Sequence, residues 1–389
     1  MDSLGVYIHI PFCVQKCAYC DFLSAPATYQ RQQEYVEALK REILCESIRY
    51  ADYKVKTIFF GGGTPSILLT EDIRGVLDCV RQNFRLDTKT EITIEMNPGT
   101  VTREKLLHLK NAGVNRLSIG LQSTNDEELK ILGRIHTYED FLQTYHWARE
   151  AGFHNINIDL MSALPGQDME SWVQTLKKVL VLCPEHISAY SLIIEEGTRL
   201  GDRIDEYPHV PDEEEDRRMY QATKYILAEQ GYQRYEISNY AKAGQECRHN
   251  KIYWQRGIEH MSDFVGFGIG ASSTVQNMRW NNTPDMEKYL CAFSNADSEG
   301  NSVQNIKENI QKLSLKDCME EYMFLGLRMM CGVSKAEFLQ SFGKSMKAVY
   351  GDILHKWTEL GMILEEGDCV RLTDAGIDVS NVILAEFLL

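Results

Sequence analysis

Nowhere does this chain of 389 residues approach the roughly 18 consecutive apolar residues of a membrane-crossing helix. Its opening, Met1-Asp2-Ser3-Leu4-Gly5, lacks the basic start and apolar continuation of a secretory signal. Positive charge is short as well: 41 Lys and Arg stand against 56 Asp and Glu, for a net charge of −15. Binding to nucleic acid draws on clustered cations that displace phosphate counterions, so nucleic acid is not expected as a partner. Nor is there a disulfide framework. The cysteines number eleven, an odd count, and eight of them are scattered singly, as reduced core thiols are. With 44% hydrophobic and 25% charged residues the composition is that of an ordinary globular protein. These absences together predict a cytoplasmic protein without transmembrane segments, for which a peripheral membrane contact stays open.

What is present is an alternation. Short apolar strands are expected at Val6 to Ile10, Thr57 to Phe60, Glu91 to Glu95, Arg116 to Ile119, Asn155 to Leu160 and Ile187 to Ile193. Helical spacing fills the gaps at Gln33 to Tyr50, Glu71 to Asn83, Arg103 to Ala112, Tyr138 to Ala151 and Met169 to Leu182. Strands alternating with helices imply a parallel sheet with right-handed crossovers, and six such units curl into a partial (β/α)6 barrel over residues 1–210. A doubly wound open sheet is the competing α/β architecture. Residues 211–299 read as an extension of the barrel, entered by a helix that Asp212 and Glu215 cap reciprocally. Residues 300–389 read as a mostly helical, winged-helix-like domain: helices at Ser314 to Met330, Lys335 to Phe342 and Ile353 to Leu360, then strands at Met362 to Leu364 and Cys369 to Leu372. The small hairpin carries Glu365, Glu366 and Asp368 instead of the basic decoration of a DNA-binding wing. The apolar stretch Val379 to Leu389 is expected to dock onto the body of the protein.

The three clustered cysteines carry the chemistry. Cys13, Cys17 and Cys20 directly follow the first strand with the spacing C-x3-C-x2-C. Three thiolates can hold three irons of a 4Fe-4S cubane and leave the fourth iron free to chelate the amino and carboxylate groups of S-adenosylmethionine. Structural zinc is the alternative, and it would need a fourth ligand such as His9 or Cys247. Other residues at strand ends point to the same mouth, where parallel barrels build their sites. Gly61-Gly62-Gly63-Thr64-Pro65 ends the second strand, Glu95 closes the third, Gln122 follows the fourth and Asp159 lies in the fifth. Arg134 supplies a planar cation suited to a carboxylate.

The run Tyr7-Ile8-His9-Ile10-Pro11-Phe12-Cys13 through Cys20, with Tyr19 before the third cysteine, resembles the signature of the radical-SAM superfamily. Over nearly the whole chain the pattern is similar to the coproporphyrinogen III dehydrogenase-like family, and within it to the HemW heme-chaperone branch. Leu164-Pro165-Gly166-Gln167, Tyr235-Glu236-Ile237-Ser238-Asn239-Tyr240, Gly326-Leu327-Arg328 and Arg371-Leu372-Thr373 add to that likeness. The resemblance implies that Cys13, Cys17 and Cys20 bind the cluster and that Tyr7, Tyr19, Gly62, Gly63, Thr64, Glu95, Gln122, Arg134 and Asp159 contact S-adenosylmethionine. Two differences separate the branches. Dehydrogenases carry a further cysteine two residues after the third, where this chain has Phe22, and they carry a long N-terminal extension, whereas the first cysteine here is residue 13. A third feature, His249-Asn250-Lys251-Ile252-Tyr253-Trp254, resembles the HNxxYW heme motif. It implies heme contacts from His249, Asn250, Tyr253 and Trp254, since an imidazole can ligate iron axially and aromatic rings can enclose the macrocycle. After the following glycine-rich segment the chaperones read Gly-Ala-His-Ser, and this chain reads Gly270-Ala271-Ser272-Ser273.

Three functions follow as expectations. The first is a heme carrier, with heme as cargo, heme-accepting proteins as partners and an electron donor for the cluster. The second is a radical decarboxylase of coproporphyrinogen III propionates. The third is a scaffold built around a structural metal.

Overall fold

The structure, a computed structural model, describes residues 2–207, 209–255, 263–294 and 301–389. The chain begins with β1 (Asp2–Ile10), α1 (Tyr29–Ser47), β2 (Tyr53–Gly62), α2 (Thr70–Asn83), β3 (Arg85–Met96), α3 (Arg103–Asn111) and β4 (Arg116–Gln122). It continues with α4 (Asp126–Ile131), α5 (Tyr138–Glu150), β5 (Ile156–Ser162), α6 (Met169–Val181) and β6 (His186–Ser191). The six strands pair in parallel and in chain order. A doubly wound sheet would reverse that order at a switch point, so the wall is that of a partial barrel. Alternation along the strands gives the wall two faces. Val6, Ile8, Phe60, Ile94, Ile119 and Ile158 are wholly buried in the main core, each contributing roughly 1.5–3 kcal/mol. The intervening Tyr7, Glu95, Ser118, Asp159 and His186 make the lumen polar.

Next come α7 (Glu213–Glu229), β7 (Gln233–Arg234), β8 (Asn239–Ala241), α8 (Arg248–Trp254), β9 (Phe264–Phe267), β10 (Ser272–Val275), β11 (Met278–Asn282), α9 (Met286–Ala292), α10 (Asn301–Ile306) and β12 (Lys307–Lys312). The capping box of Asp212 and Glu215 starts α7 as its sequence implies. Strand β9 pairs in parallel with the free edge of β1 and leads antiparallel to β10, β11 and β12, while β8 and β7 extend the other edge from β6. These six strands and α4 were not expected from periodicity; the strands are defined by how they extend the two edges of the wall, beyond β1 and β6. Buried Glu42 on α1 ties this extension down, accepting hydrogen bonds from Gly268 N (2.8 Å), Asn282 Nδ2 (2.6 Å) and Tyr289 OH (2.6 Å).

The rest is a second core. It comprises α11 (Leu315–Gly326), β13 (Val333–Ser334), α12 (Lys335–Phe342), α13 (Met346–Glu359), β14 (Ile363–Glu366), β15 (Cys369–Leu372), α14 (Asp374–Asp378) and α15 (Ser380–Ala385). Helices α11, α12 and α13 with a small sheet ordered β13-β15-β14 make a winged-helix-like arrangement. The apolar tail docks as expected, with Ile383 and Phe387 wholly buried. Among the described residues no helix is long and apolar enough to cross a membrane.

Candidate functional site

Strand β1 delivers the chain at Ile10, opposite Gly62 of β2, and the cysteine loop begins three residues on. The loop is held at both flanks. Ala18 N donates to Leu132 O (2.9 Å), Leu200 N donates to Ala18 O (2.8 Å), and the returning chain pairs through Ala25 N to Pro11 O (2.9 Å). Cys13 is buried, while Cys17 and Cys20 are half-buried and all three are free thiols. Burial raises the Cys13 and Cys20 thiols, and the neighbouring cysteine sulfurs raise them further, with Lys16 opposing.

A polar chain crosses from this loop to the end of β2. Arg134 donates to Cys17 Sγ (3.4 Å), to Asn97 Oδ1 (2.7 Å) and to the carbonyl of Gly120, and Asn97 Nδ2 donates to Thr64 Oγ1 (2.8 Å). Arg134 reaches the Gly120 carbonyl because that residue has no side chain: a Cβ there would lie 2.8 Å from Arg134 Nη2 and 2.9 Å from Asn97 Oδ1. Gln122 sits beside them at φ 70°, an unusual conformation for a non-glycine residue. Tyr19 is half-buried nearby, its phenol pushed up to about 12 by burial, against the opposing pull of Arg134. Asn97 was not singled out from sequence; its only signal was its place two residues beyond Glu95 at the mouth of β3.

Beside the loop lies a cavity of about 480 Å³ lined by Tyr7, His9, Leu23, Gly62, Glu95 and Tyr253 among others, within the size range of small-molecule sites. Gly62 adopts φ 112°, and a Cβ on it would meet the His9 ring at 2.5 Å. Its N–H donates to Glu95 Oε2 (3.2 Å). His9 uses both ring nitrogens, Nε2 on Leu23 O (3.0 Å) and Nδ1 on Tyr7 OH (3.0 Å). Since a carbonyl only accepts, Nε2 carries the proton and Tyr7 OH donates to Nδ1. Asp159, lower in the lumen, accepts from Ser118 Oγ (3.0 Å) and Asn157 Nδ2 (2.7 Å).

Desolvation, and then the charge of Asp159, pushes the Glu95 carboxyl from 4.5 to about 8. The folded state therefore holds a proton that the unfolded state releases, and stability falls as pH rises through that interval. Glu42, raised to about 7 by burial, adds a slope of the same sign. Buried His136 and His249, held down to about 4 and 3, give the opposite slope up to their ordinary 6.5, so thermal melts of the cofactor-free chain are expected to drop between about pH 7 and pH 8, and Glu95→Gln to flatten that drop.

The motif helix α8 plugs the foot of the lumen. Its N-terminal N–H groups at Arg248 and His249 are capped by Glu91 of β3 (3.2 and 3.1 Å). Cys247, the N-cap residue, points its sulfur at the same carboxylate (3.7 Å). Neither of the conceivable fourth zinc ligands is free, His9 being bonded at both nitrogens and Cys247 facing Glu91. Beside Cys247 and Glu91 lies the wholly buried Arg116, a lumen residue whose role periodicity did not reveal. His249 is 1% exposed, stacked on Phe59 at 5.1 Å, and bonded through Nδ1 to Thr57 Oγ1 (2.7 Å) and through Nε2 to Tyr253 OH (2.9 Å). The sequence expectation of a histidine offering a nitrogen to iron meets a ring whose two nitrogens are both engaged. Tyr253 lines the cavity. Asn250 is half-buried, and Trp254 turns away from the lumen to stack under Arg328 (4.4 Å).

The residues fit the group that C-x3-C-x2-C implies. Among the described residues no three His, Cys, Asp or Glu side chains converge on one ion-sized point; a cubane accepts separated thiolates because each binds a different iron. The glycine-lined cavity alongside suits a small organic ligand.

Comparison with known proteins agrees with this geometry. The family model for the radical SAM superfamily matches residues 7–179, and that for the HemN C-terminal domain matches residues 313–379. The heme chaperone HemW of Bacillus subtilis (strain 168) is 35% identical over 386 residues, covering 99% of each chain. HemW of Escherichia coli (strain K12) is 41% identical over 277 residues, 71% of each chain. Among solved structures, the radical SAM enzyme coproporphyrinogen III oxidase (HemN) of Escherichia coli covers 100% of this chain and 90% of its own at 25% identity, with a TM-score of 0.85. A chain so related along its whole length, with the barrel and cysteine loop in place, belongs to the HemW family of the radical SAM superfamily.

Proposed function

We propose that this protein is a heme chaperone that binds heme and delivers it to acceptor proteins. The observation that carries this reading is the end-to-end relationship to proteins named heme chaperone HemW. In this reading Cys13, Cys17 and Cys20 hold the 4Fe-4S cluster, and Tyr7, Tyr19, Gly62, Gly63, Thr64, Glu95, Gln122, Arg134 and Asp159 surround S-adenosylmethionine. The cluster, charged by an electron donor, supplies one-electron chemistry when bound. The chain's own contributions are positional: Arg134 and Asn97 bridge the cysteine loop to Thr64, and the open glycine backbone admits the ligand.

His249, Asn250, Tyr253 and Trp254 form the heme-binding helix. Burial pushes the His249 imidazole down to about 3, so the ring is neutral at physiological pH, the form that ligates iron. Ligation requires that it release Thr57 or Tyr253, so uptake involves a shift of α8. The likeness to HemN keeps coproporphyrinogen III decarboxylation as the second reading.

The deciding measurement is an anaerobic heme titration of the cluster-reconstituted protein followed through the Soret band. Saturable binding that weakens at least about tenfold in His249→Ala is expected, the loss of a ligand being worth more than 1.4 kcal/mol. Absence of specific binding, together with turnover of coproporphyrinogen III, would replace the chaperone reading with the second.

A further inference from the structure

The cavity beside the cysteine loop has an outer part that the cofactor assignments leave unused. Of the residues lining its volume of about 480 Å³, Phe22, Leu23, Tyr253, Phe264, Gly270 and Ser272 belong neither to the cluster nor to the S-adenosylmethionine set. This part is mainly apolar. None of the described lining residues is a lysine or an arginine, so a phosphorylated ligand would find no countercharge there.

Most of the wall is fixed in place. Tyr253 stands edge-on to Phe264, with ring centroids 4.8 Å apart, and its phenol is bonded to His249 Nε2 (2.9 Å). The Leu23 carbonyl accepts from His9 Nε2 (3.0 Å). Gly270 closes against the Leu23 side chain: at φ 65°, a Cβ on it would lie 2.7 Å from Leu23 Cδ2. Phe22, two residues beyond Cys20, differs. It lines the cavity yet stays 67% exposed, and Leu23 beside it is 39% exposed. A single apolar residue at the surface needs no explanation. Two in succession at the opening of an apolar cavity make a surface that a flat apolar ligand would remove from water.

The motif helix opens onto the same space. Among the described residues, Tyr253 is the one member of His249-Asn250-Lys251-Ile252-Tyr253-Trp254 that lines the cavity, and His249 touches it only through that phenol, while Trp254 faces away to Arg328. We propose that the porphyrin ring of the cargo lodges in this outer part, packed on Phe22 and Leu23 as well as on Tyr253. The inference rests on the heme-chaperone reading and deepens it. It adds a cargo contact outside the motif helix, on the segment that follows the third cysteine, and so brings the cargo beside the cysteine loop.

The test titrates hemin and metal-free protoporphyrin IX into the cluster-reconstituted full chain, followed through the Soret band, with S-adenosylmethionine binding measured in parallel by equilibrium dialysis. Phe22→Ala is expected to weaken both porphyrins about tenfold, or about 1.4 kcal/mol, while cluster absorption and S-adenosylmethionine binding stay as in wild type. Phe22→Tyr keeps the ring and should stay within about twofold of wild type. Three results overturn the inference and leave the chaperone reading standing: unchanged porphyrin binding in Phe22→Ala, a loss confined to hemin, which traces to the iron and not to the ring, or an equal loss of S-adenosylmethionine. Failure of wild type to bind either porphyrin overturns both. Should Phe22→Ala lose its cluster spectrum, Ser272→Trp takes its place. An indole brought to the opening from β10 should weaken both porphyrins about tenfold, and unchanged binding overturns the inference.

Discussion

Replacing Cys13, Cys17 or Cys20 singly by alanine is expected to give a folded but colourless protein. Cys17 and Cys20 are half-buried and Cys13 is only 6% exposed, so each substitution deletes one sulfur, at a cost of about 1 kcal/mol or less. The loop keeps its hydrogen bonds through Ala18, Leu132 and Leu200, which are backbone to backbone and indifferent to the thiols. The loss for the cofactor is far larger. A cubane with three protein ligands has none to spare, and iron after anaerobic reconstitution should fall from about four per chain to near zero. Cys247→Ala is the control, because its sulfur faces Glu91 at the foot of the lumen, and it should keep the full complement. Retention of the visible iron-sulfur absorption by Cys17→Ala would remove the cluster assignment, and the scaffold reading with it would return.

Gly63→Ala should have the second largest effect. A Cβ at this position would lie 2.4 Å from the Phe12 carbonyl oxygen and 3.0 Å from Phe12 N, and both are backbone atoms that no rotamer change can move. The two segments are also pinned, Gly63 N to Ile10 O (2.8 Å) and Thr64 N to Phe12 O (2.7 Å). Phe12 is in turn locked edge-on against Tyr35 at 5.2 Å. The clash must therefore displace the residue that carries Cys13. Overpacking of this kind costs about 1–3 kcal/mol, and here the displacement falls on both the glycine cradle and the first cysteine. Equilibrium dialysis should show loss of S-adenosylmethionine binding, with reduced cluster occupancy and a lowered melting temperature. Gly75→Ala, in the middle of α2 with nothing nearer than Lys40 Nζ at 4.0 Å, should be neutral or slightly stabilising. If Gly63→Ala binds S-adenosylmethionine as wild type does, the cradle is not where the cofactor sits.

Much of this architecture was written locally. The six parallel strands, the helices between them, the cap at Asp212 and the cysteine spacing all follow from residues within a few positions of one another. Periods of 2 and 3.6, caps and ligand spacings are properties of a short stretch of chain, so the six β/α units and the cysteine triplet could be read directly, while strand order decided for a barrel wall over a doubly wound sheet. Strands β9 to β12 escaped because they follow no repeated β/α unit and take their place from the free edge of β1, which β9 joins and from which the others build outward.

What only the tertiary structure decided is which polar groups meet. Asn97 links Thr64 to Arg134 across three strand ends, Glu91 caps a helix that begins more than 150 residues later, and Arg328 lies on Trp254 from a different core. The same holds for His249. Its motif was legible as a likeness to heme binders, but the engagement of both nitrogens by Thr57 and Tyr253 was not. Such pairs depend on strand register and on how the sheet curls. A sequence determines those only through the sum of many burial terms, and no single spacing records it.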